Sequence, residues 1–213
     1  YGLVGSEMCI RDRAEMVPSD AASALAEIGR RMDARGWVPG SAGNLSSRLD
    51  GQSIAITRSG VHKGRLKPDE DIIAVDYAGK PLVSNQKPSA ETLLHCQLYR
   101  LFPPVGAVLH GHSVAATVLS KEGPISFANY ELLKAFGFPT HELEITLPVY
   151  ENDQDIDRLA ALIEPDLIAE TPIGYVLAGH GIYAWGKDVE HAYWRLEALE
   201  FLLACELERR KLK

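Results

Sequence analysis

Two imidazoles one residue apart, His110-Gly111-His112, directly follow the apolar run at residues 105–109. In extended backbone alternate side chains share a face, so both rings can converge on one ion while Gly111 points away. A third histidine, His180, sits in Ala178-Gly179-His180-Gly181 between two strand-like segments, where it can reach the same ion from a neighbouring strand. Three histidines without cysteine leave coordination positions open to substrate oxygens, the pattern of a catalytic zinc rather than a structural one. Taken singly, an HxH pair is an ordinary strand end and Gly-His-Gly an ordinary turn; only the set of three points to a metal.

Two carboxylates could serve such an ion. Glu91 falls in the first turn of a helix opened by Pro88-Ser89, where its plain role is to complement the helix dipole. Glu131 begins a short helical stretch, where an isolated acid is ordinarily a solvated one. His62, His95, His141 and His191 show no ligand spacing, and His95 is expected to pack behind the site. Small-residue loops at 40–47 and 57–60, the second followed by Lys63, can offer backbone N–H groups and hydroxyls to a phosphate, with Lys63 or Arg58 adding charge. Ser89, at a helix N-terminus, could add a third anion contact. Neither loop has a Walker A or dinucleotide fingerprint, which argues against ATP and NAD.

The elements that must position these groups follow from periodicity and punctuation. Ser19 reads as the N-cap of a helix carrying Leu25, Ile28 and Met32 and ending at Gly36. Strands are expected at 53–57, 71–75, 105–109, 144–150, 174–178 and 182–185, with Pro148 marking an edge or a bulge. Helices are expected at 88–101, 113–121 and 155–164, the last stopped by Pro165, and from Lys187 to the end. Mixed strand and helix order with hairpins indicates a layered α/β fold whose sheet is not purely parallel.

Composition narrows the classes further. A chain of 213 residues with 46% hydrophobic and 24% charged residues is globular in character and long enough for one large core. A net charge of −7 argues against nucleic acid or an anionic membrane as the main partner, so an anionic ligand must be held locally. Cys9, Cys96 and Cys205 form neither a disulfide framework nor a CxxC site, and no run is long enough to span a bilayer; a cytoplasmic protein is expected. Residues 1–13 have neither helical nor strand periodicity leading into the helix at Ser19 and are expected to be a foreign or frayed tail on a single domain at 14–213.

Together, Gly43-Asn-Leu-Ser46, Thr57-Arg-Ser-Gly60, Ser89-Ala-Glu91, His110-Gly-His112 and His180-Gly-Ile-Tyr-Ala-Trp-Gly186 resemble the class II aldolase/adducin family over about residues 20–211. The resemblance implies a three-layer α/β/α sandwich around a central, mainly antiparallel mixed sheet. It also implies a homotetramer whose neighbouring chains complete each active site. His110, His112 and His180 then match the ligands of one Zn²⁺ per subunit, and Gly43, Asn44, Thr57, Ser59, Gly60 and Ser89 fall in phosphate-binding loops beside Lys63. Glu91 matches the carboxylate that serves as metal ligand or base in the family's sugar-phosphate aldolases. Through Thr57-Arg-Ser-Gly-Val-His-Lys63, Asn129-Tyr-Glu-Leu-Leu-Lys134 and the His180 segment, the chain is most similar to the family's methionine-salvage dehydratases, whose catalytic acid/base Glu131 matches. The implied activity is that of a hydro-lyase converting 5-methylthioribulose 1-phosphate to 2,3-diketo-5-methylthiopentyl 1-phosphate. An aldolase or 4-epimerase, with Glu91 as its base, is the alternative; a non-catalytic adducin-like interaction module would be expected to have lost the histidines.

Overall fold

A computed structural model describes residues 17–212; the tail at 1–13 lies outside the described residues. Helix α1 (Ser19–Ala34) buries Leu25, Ile28 and Met32 on one face. Pro18, not Ser19, occupies its N-cap position. Next along the chain are β1 (Asn44–Arg48), β2 (Ser53–Thr57), β3 (Ile72–Asp76), α2 (Thr92–Leu101), β4 (Ala107–Gly111) and α3 (Val114–Leu119). Then come β5 (Ile125–Ala128), β6 (Glu144–Leu147), β7 (Val149–Tyr150), α4 (Ile156–Ala169), β8 (Tyr175–Leu177), β9 (Gly181–Gly186) and the closing helix α5 (Val189–Lys211).

Seven strands form one sheet in the order β3-β2-β1-β4-β9-β8-β7, antiparallel at every pairing except the parallel β7–β8 edge. Helices cover both faces. On one side α1, α3 and α5 pack over Leu45, Leu109, Ile182 and Ala184; on the other α2 and α4 pack over Ile54, Ile56, Val108, Tyr183 and Trp185. Alternation along β4 therefore sends Leu109 to the first layer, and Val108 with His110 to the second. The expected three-layer sandwich is the observed one. No helix of the described residues is long and apolar enough to cross a membrane.

Four boundaries differ from expectation, each for a physical reason. The loop expected at 40–47 ends at Gly43, and Asn44–Arg48 is a central strand. Most of its polar side chains are tolerated there because they find partners, with Ser46 Oγ bonding His95 and Tyr99 and Arg48 donating to the carbonyls of Val105 and Tyr99; Ser47 Oγ is buried without one. The helix expected to open at Pro88 begins at Thr92, which puts Glu91 at the N-cap position rather than in the first turn. Strand 144–150 is split at Pro148, β6 pairing with β5 in a separate hairpin and β7 joining the main sheet. Helix α4 runs through Pro165 to Ala169, because Leu159, Ile163 and Leu167 form one buried stripe that spans the proline and outweighs its lost hydrogen bond.

Candidate metal centre and anion cavity

His110 is the penultimate residue of β4, opposite Asn44 of β1 and Tyr183 of β9, and is fully buried. Its ring stacks on Tyr183 at 4.1 Å. His112 leaves the strand with its backbone N–H bonded to the Trp37 carbonyl at 2.6 Å. His180 occupies the β8–β9 turn, fastened by Thr117 Oγ1 donating to its carbonyl and by Ser120 Oγ accepting from Gly179 N. Ring centroids of the three are 4.6–5.0 Å apart, and one nitrogen from each lies within 4.8 Å of the others. Strands β4 and β9 approach closely enough for this only because position 181 lacks a side chain: a Cβ there would stand 2.3 Å from the Gly111 carbonyl oxygen and 2.9 Å from His110 Cε1.

Hydrogen bonding fixes which nitrogens are free. His110 Nδ1 donates to the Ile182 carbonyl at 2.9 Å, leaving on Nε2 a lone pair that is buried and unpartnered. His180 Nδ1 donates to Asn152 Oδ1 at 3.1 Å, which likewise frees its Nε2. Both free nitrogens face the Glu91 carboxylate at 3.3 Å, one toward each oxygen. Lone pairs opposed to a carboxylate repel, and a divalent cation among them turns the repulsion into coordination. Burial, with the neighbouring imidazoles, holds His110 down at about 4 and His112 at about 3, so the rings are neutral and ready to ligate. Burial alone would raise Glu91, but the charge that His110 and His180 carry once protonated, with the Asn44 amide, outweighs it and keeps the carboxyl at about 2. Imidazoles and a carboxylate with no thiolate suit a divalent metal such as zinc.

His112, His180 and Glu91 line a cavity of about 720 Å³, whose wall also includes Ser41, Gly43, Asn44, Ser59, Gly60 and Ser89. Backbone bonds from Ser59 N to Lys87 O and from Ser89 N to Thr57 O pin the loops of that wall together. Gly43, at φ +75°, passes so near His110 that a Cβ would lie 2.6 Å from the His110 carbonyl oxygen. Arg58 also lines the cavity, with its Nε buried and unpartnered.

Of the expected phosphate contacts, Thr57 lies outside the cavity lining, while Lys63 lines the cavity with two of its three N–H groups engaged. Thr57 is fully buried, with Oγ1 accepting from Leu45 N, so it supports the lining from behind. The Lys63 ammonium is buried and donates to the carbonyls of Ser41 and Val61 at 2.6 and 2.7 Å, stitching the two loops together. Burial lowers it to about 8, against the pull of Glu91. Glu131 is not brought to the histidines. It is exposed, paired with Lys134 at 2.6 Å and His141 at 3.3 Å, and lines a separate groove with Trp37, Trp194 and Phe201. Sequence reasoning missed Asn152, which lies in a polar loop with no telling spacing, and the hydrogen-bond role of His95.

Comparison with known proteins agrees with this geometry. Residues 23–207 match the family described as the Class II Aldolase and Adducin N-terminal domain. The chain belongs to the class II aldolase and adducin family. Within that family it is 62% identical over 201 residues to a methylthioribulose-1-phosphate dehydratase of Acidiphilium cryptum, covering 92% of this chain and 94% of that one. It is 57% identical to a protein of the same name from Granulibacter bethesdensis, covering 92% and 95%. A solved L-fuculose 1-phosphate aldolase superposes with a TM-score of 0.78 at 24% identity, over 92% of this chain and 89% of that one, which bears on the fold.

Proposed function

We propose that this chain dehydrates 5-methylthioribulose 1-phosphate to 2,3-diketo-5-methylthiopentyl 1-phosphate, as a zinc-dependent hydro-lyase of methionine salvage acting in the cytoplasm as a homotetramer. The observation that carries this reading is a single cavity joining free imidazole nitrogens to an amide- and hydroxyl-rich wall, in a chain 62% identical to a named dehydratase. Zinc held by His110, His112 and His180 would stabilise negative charge developing on the substrate ketone oxygen.

The chain's own groups do the rest. Gly43, Asn44, Ser59, Gly60 and Ser89 receive the phosphate, Arg58 supplies charge, and Thr57 and Lys63 hold the receiving loops in place. Glu91 stays ionised against the imidazole nitrogens and so anchors the cation site. The C3 proton is acidic because it lies α to the C2 ketone. One carboxylate can take that proton and return it to the C4 hydroxyl as it departs as water, leaving a C3–C4 enol that ketonises by moving its O–H proton to C4, which balances the reaction without an outside acid.

Glu131 is assigned that role. Glu131 faces a different groove from the histidines of its own chain, and we infer that the carboxylate reaching each site is Glu131 of the partner subunit. The groove beside Glu131 carries Trp194 and Phe201, each more than half exposed, an apolar surface suited to burial between subunits. The test is product identification by NMR. Zinc-loaded protein is given 5-methylthioribulose 1-phosphate and, separately, fuculose and ribulose phosphates. A diketone from the first substrate alone is expected; carbon–carbon cleavage or epimerisation of the others would transfer the site to the aldolase or epimerase reading.

A further inference from the structure

Behind Glu91 lies an uninterrupted line of buried polar groups, of which the reaction above uses only Asn44. Tyr99 Oη is 2.8 Å from Ser46 Oγ, Ser46 Oγ is 2.6 Å from His95 Nδ1, His95 Nε2 is 2.5 Å from Asn44 Oδ1, and Asn44 Nδ2 is 2.6 Å from Glu91 Oε2. Tyr99, Ser46, His95 and Asn44 are all at most 4% exposed, so water does not compete for these bonds. We propose that His95 is a positioning residue, the centre of a one-way hydrogen-bond relay that fixes the orientation of the Glu91 carboxylate against the metal site.

The direction of every link follows from its end. An ionised Glu91 only accepts, so Asn44 must present its NH₂ group to it. The Asn44 oxygen then faces His95, whose Nε2 must carry the proton. A neutral imidazole has one N–H, so Nδ1 is an acceptor, Ser46 must donate to it, and the Ser46 oxygen is left to accept from Tyr99. Each donor points toward Glu91, and bonds aligned in this way polarise and strengthen one another. Turning the Asn44 amide over would set its oxygen against the carboxylate and its NH₂ against the His95 N–H, two buried conflicts at once. A protonated His95 would also break the sequence, and burial with the neighbouring His110 opposes it, lowering the ring to about 3.

The consequence reaches the metal site through geometry. The bond from Asn44 to Oε2 opposes rotation of the carboxylate, whose two oxygens lie 3.3 Å from His110 Nε2 and His180 Nε2. The His95 ring also stands edge-on to Tyr183, the residue on which His110 stacks. His95 thus braces both sides of the Glu91–His110 contact without touching the cavity.

This proposal rests on the reading of the cavity as a metal-dependent active site, and its test separates the two. In zinc-loaded protein with ¹⁵N-labelled histidine, the His95 signals should show an unprotonated Nδ1 and a protonated Nε2; the opposite tautomer, or a doubly protonated ring, overturns the relay whatever the protein's activity. With the dehydratase substrate, His95→Leu should lower kcat by about 10–100-fold with KM within about twofold, zinc still bound, the range usual for loss of a group that orients a metal site. His95→Gln, whose amide can still donate to Asn44, should recover much of that loss. Equal loss in both variants, or a change confined to KM, contradicts a positioning role. Should His95→Leu fail to fold, Ser46→Ala, which leaves His95 Nδ1 without its donor, is expected to lower kcat in the same way, and a wild-type kcat there refutes the relay. If the expected tautomer is found in a protein without dehydratase activity, the relay stands and the functional reading falls.

Discussion

Replacing Gly181 with alanine tests how the sheet builds the metal site. The added Cβ would lie 2.3 Å from the Gly111 carbonyl oxygen, 3.2 Å from the Gly111 carbonyl carbon and 2.9 Å from His110 Cε1. Two of these are backbone atoms of the paired strand, so relief requires β4 and β9 to separate by about 1 Å, a change of the kind that costs about 1–3 kcal/mol. At about 2–4 °C per kcal/mol for a chain of this size, the thermal midpoint of Gly181→Ala should fall by about 2–12 °C. His110 is displaced directly, so zinc affinity measured against a chelator should fall about tenfold or more. Gly51→Ala is the control: no heavy atom lies within 4 Å of its Cβ, and its backbone is not left-handed, so both readouts should stay at wild-type values. A Gly181→Ala protein with unchanged melting and zinc affinity would refute the claim that this close approach positions His110.

Lys63→Met should raise KM for the phosphorylated substrate about 10–100-fold with a smaller effect on kcat. Two bonds from a charged donor, each of order 1.5–3 kcal/mol, are lost from the loops that receive the phosphate; an unchanged inhibition constant for inorganic phosphate would contradict this. Glu131→Gln should lower kcat by about 10²–10⁴-fold while retaining stoichiometric zinc. Near-normal dehydration would remove Glu131 from the reaction. Metal-free protein should lose stability as pH falls below 6.5. His95, His110 and His112 stay neutral in the fold to about 3, 4 and 3 but take protons at about 6.5 when unfolded, so the unfolded state binds more protons across that window. Glu91, held at about 2 against an ordinary 4.5, adds to the loss below pH 4.5. A denaturation midpoint constant from pH 7 to 4 would refute the burial of neutral imidazoles.

Much of the site was legible in local sequence because its groups sit where spacing speaks. His110 and His112 share a face through strand geometry, and His180 arrives by a turn flanked by Gly179, whose backbone is left-handed, and Gly181, whose need is steric. The parts that were not legible depend on tertiary partners. Asn44–Arg48 reads as a polar loop until Ser46 and Arg48 are seen to be satisfied by residues far along the chain. Pro165 reads as a helix stop until the buried stripe on both sides of it is seen. Lys63 carries the right charge for a phosphate and lines the cavity, yet two of its three N–H groups go to carbonyls that only the folded loops bring together. Asn152 and the relay through His95 have no sequence signature at all, because each acts by orienting another residue.

The central claim is that the histidine cluster of one subunit and Glu131 of the partner subunit make one dehydratase site, and subunit mixing tests it most directly. Glu131→Gln and His112→Ala proteins, each inactive alone, are dissociated, combined in equal amounts and reassembled, with hybrid tetramers verified by native mass spectrometry. In a cyclic assembly about one interface in four then pairs intact histidines with an intact carboxylate, so about a quarter of wild-type diketone formation should return. Hybrids that form and remain no more active than their parents would contradict the account.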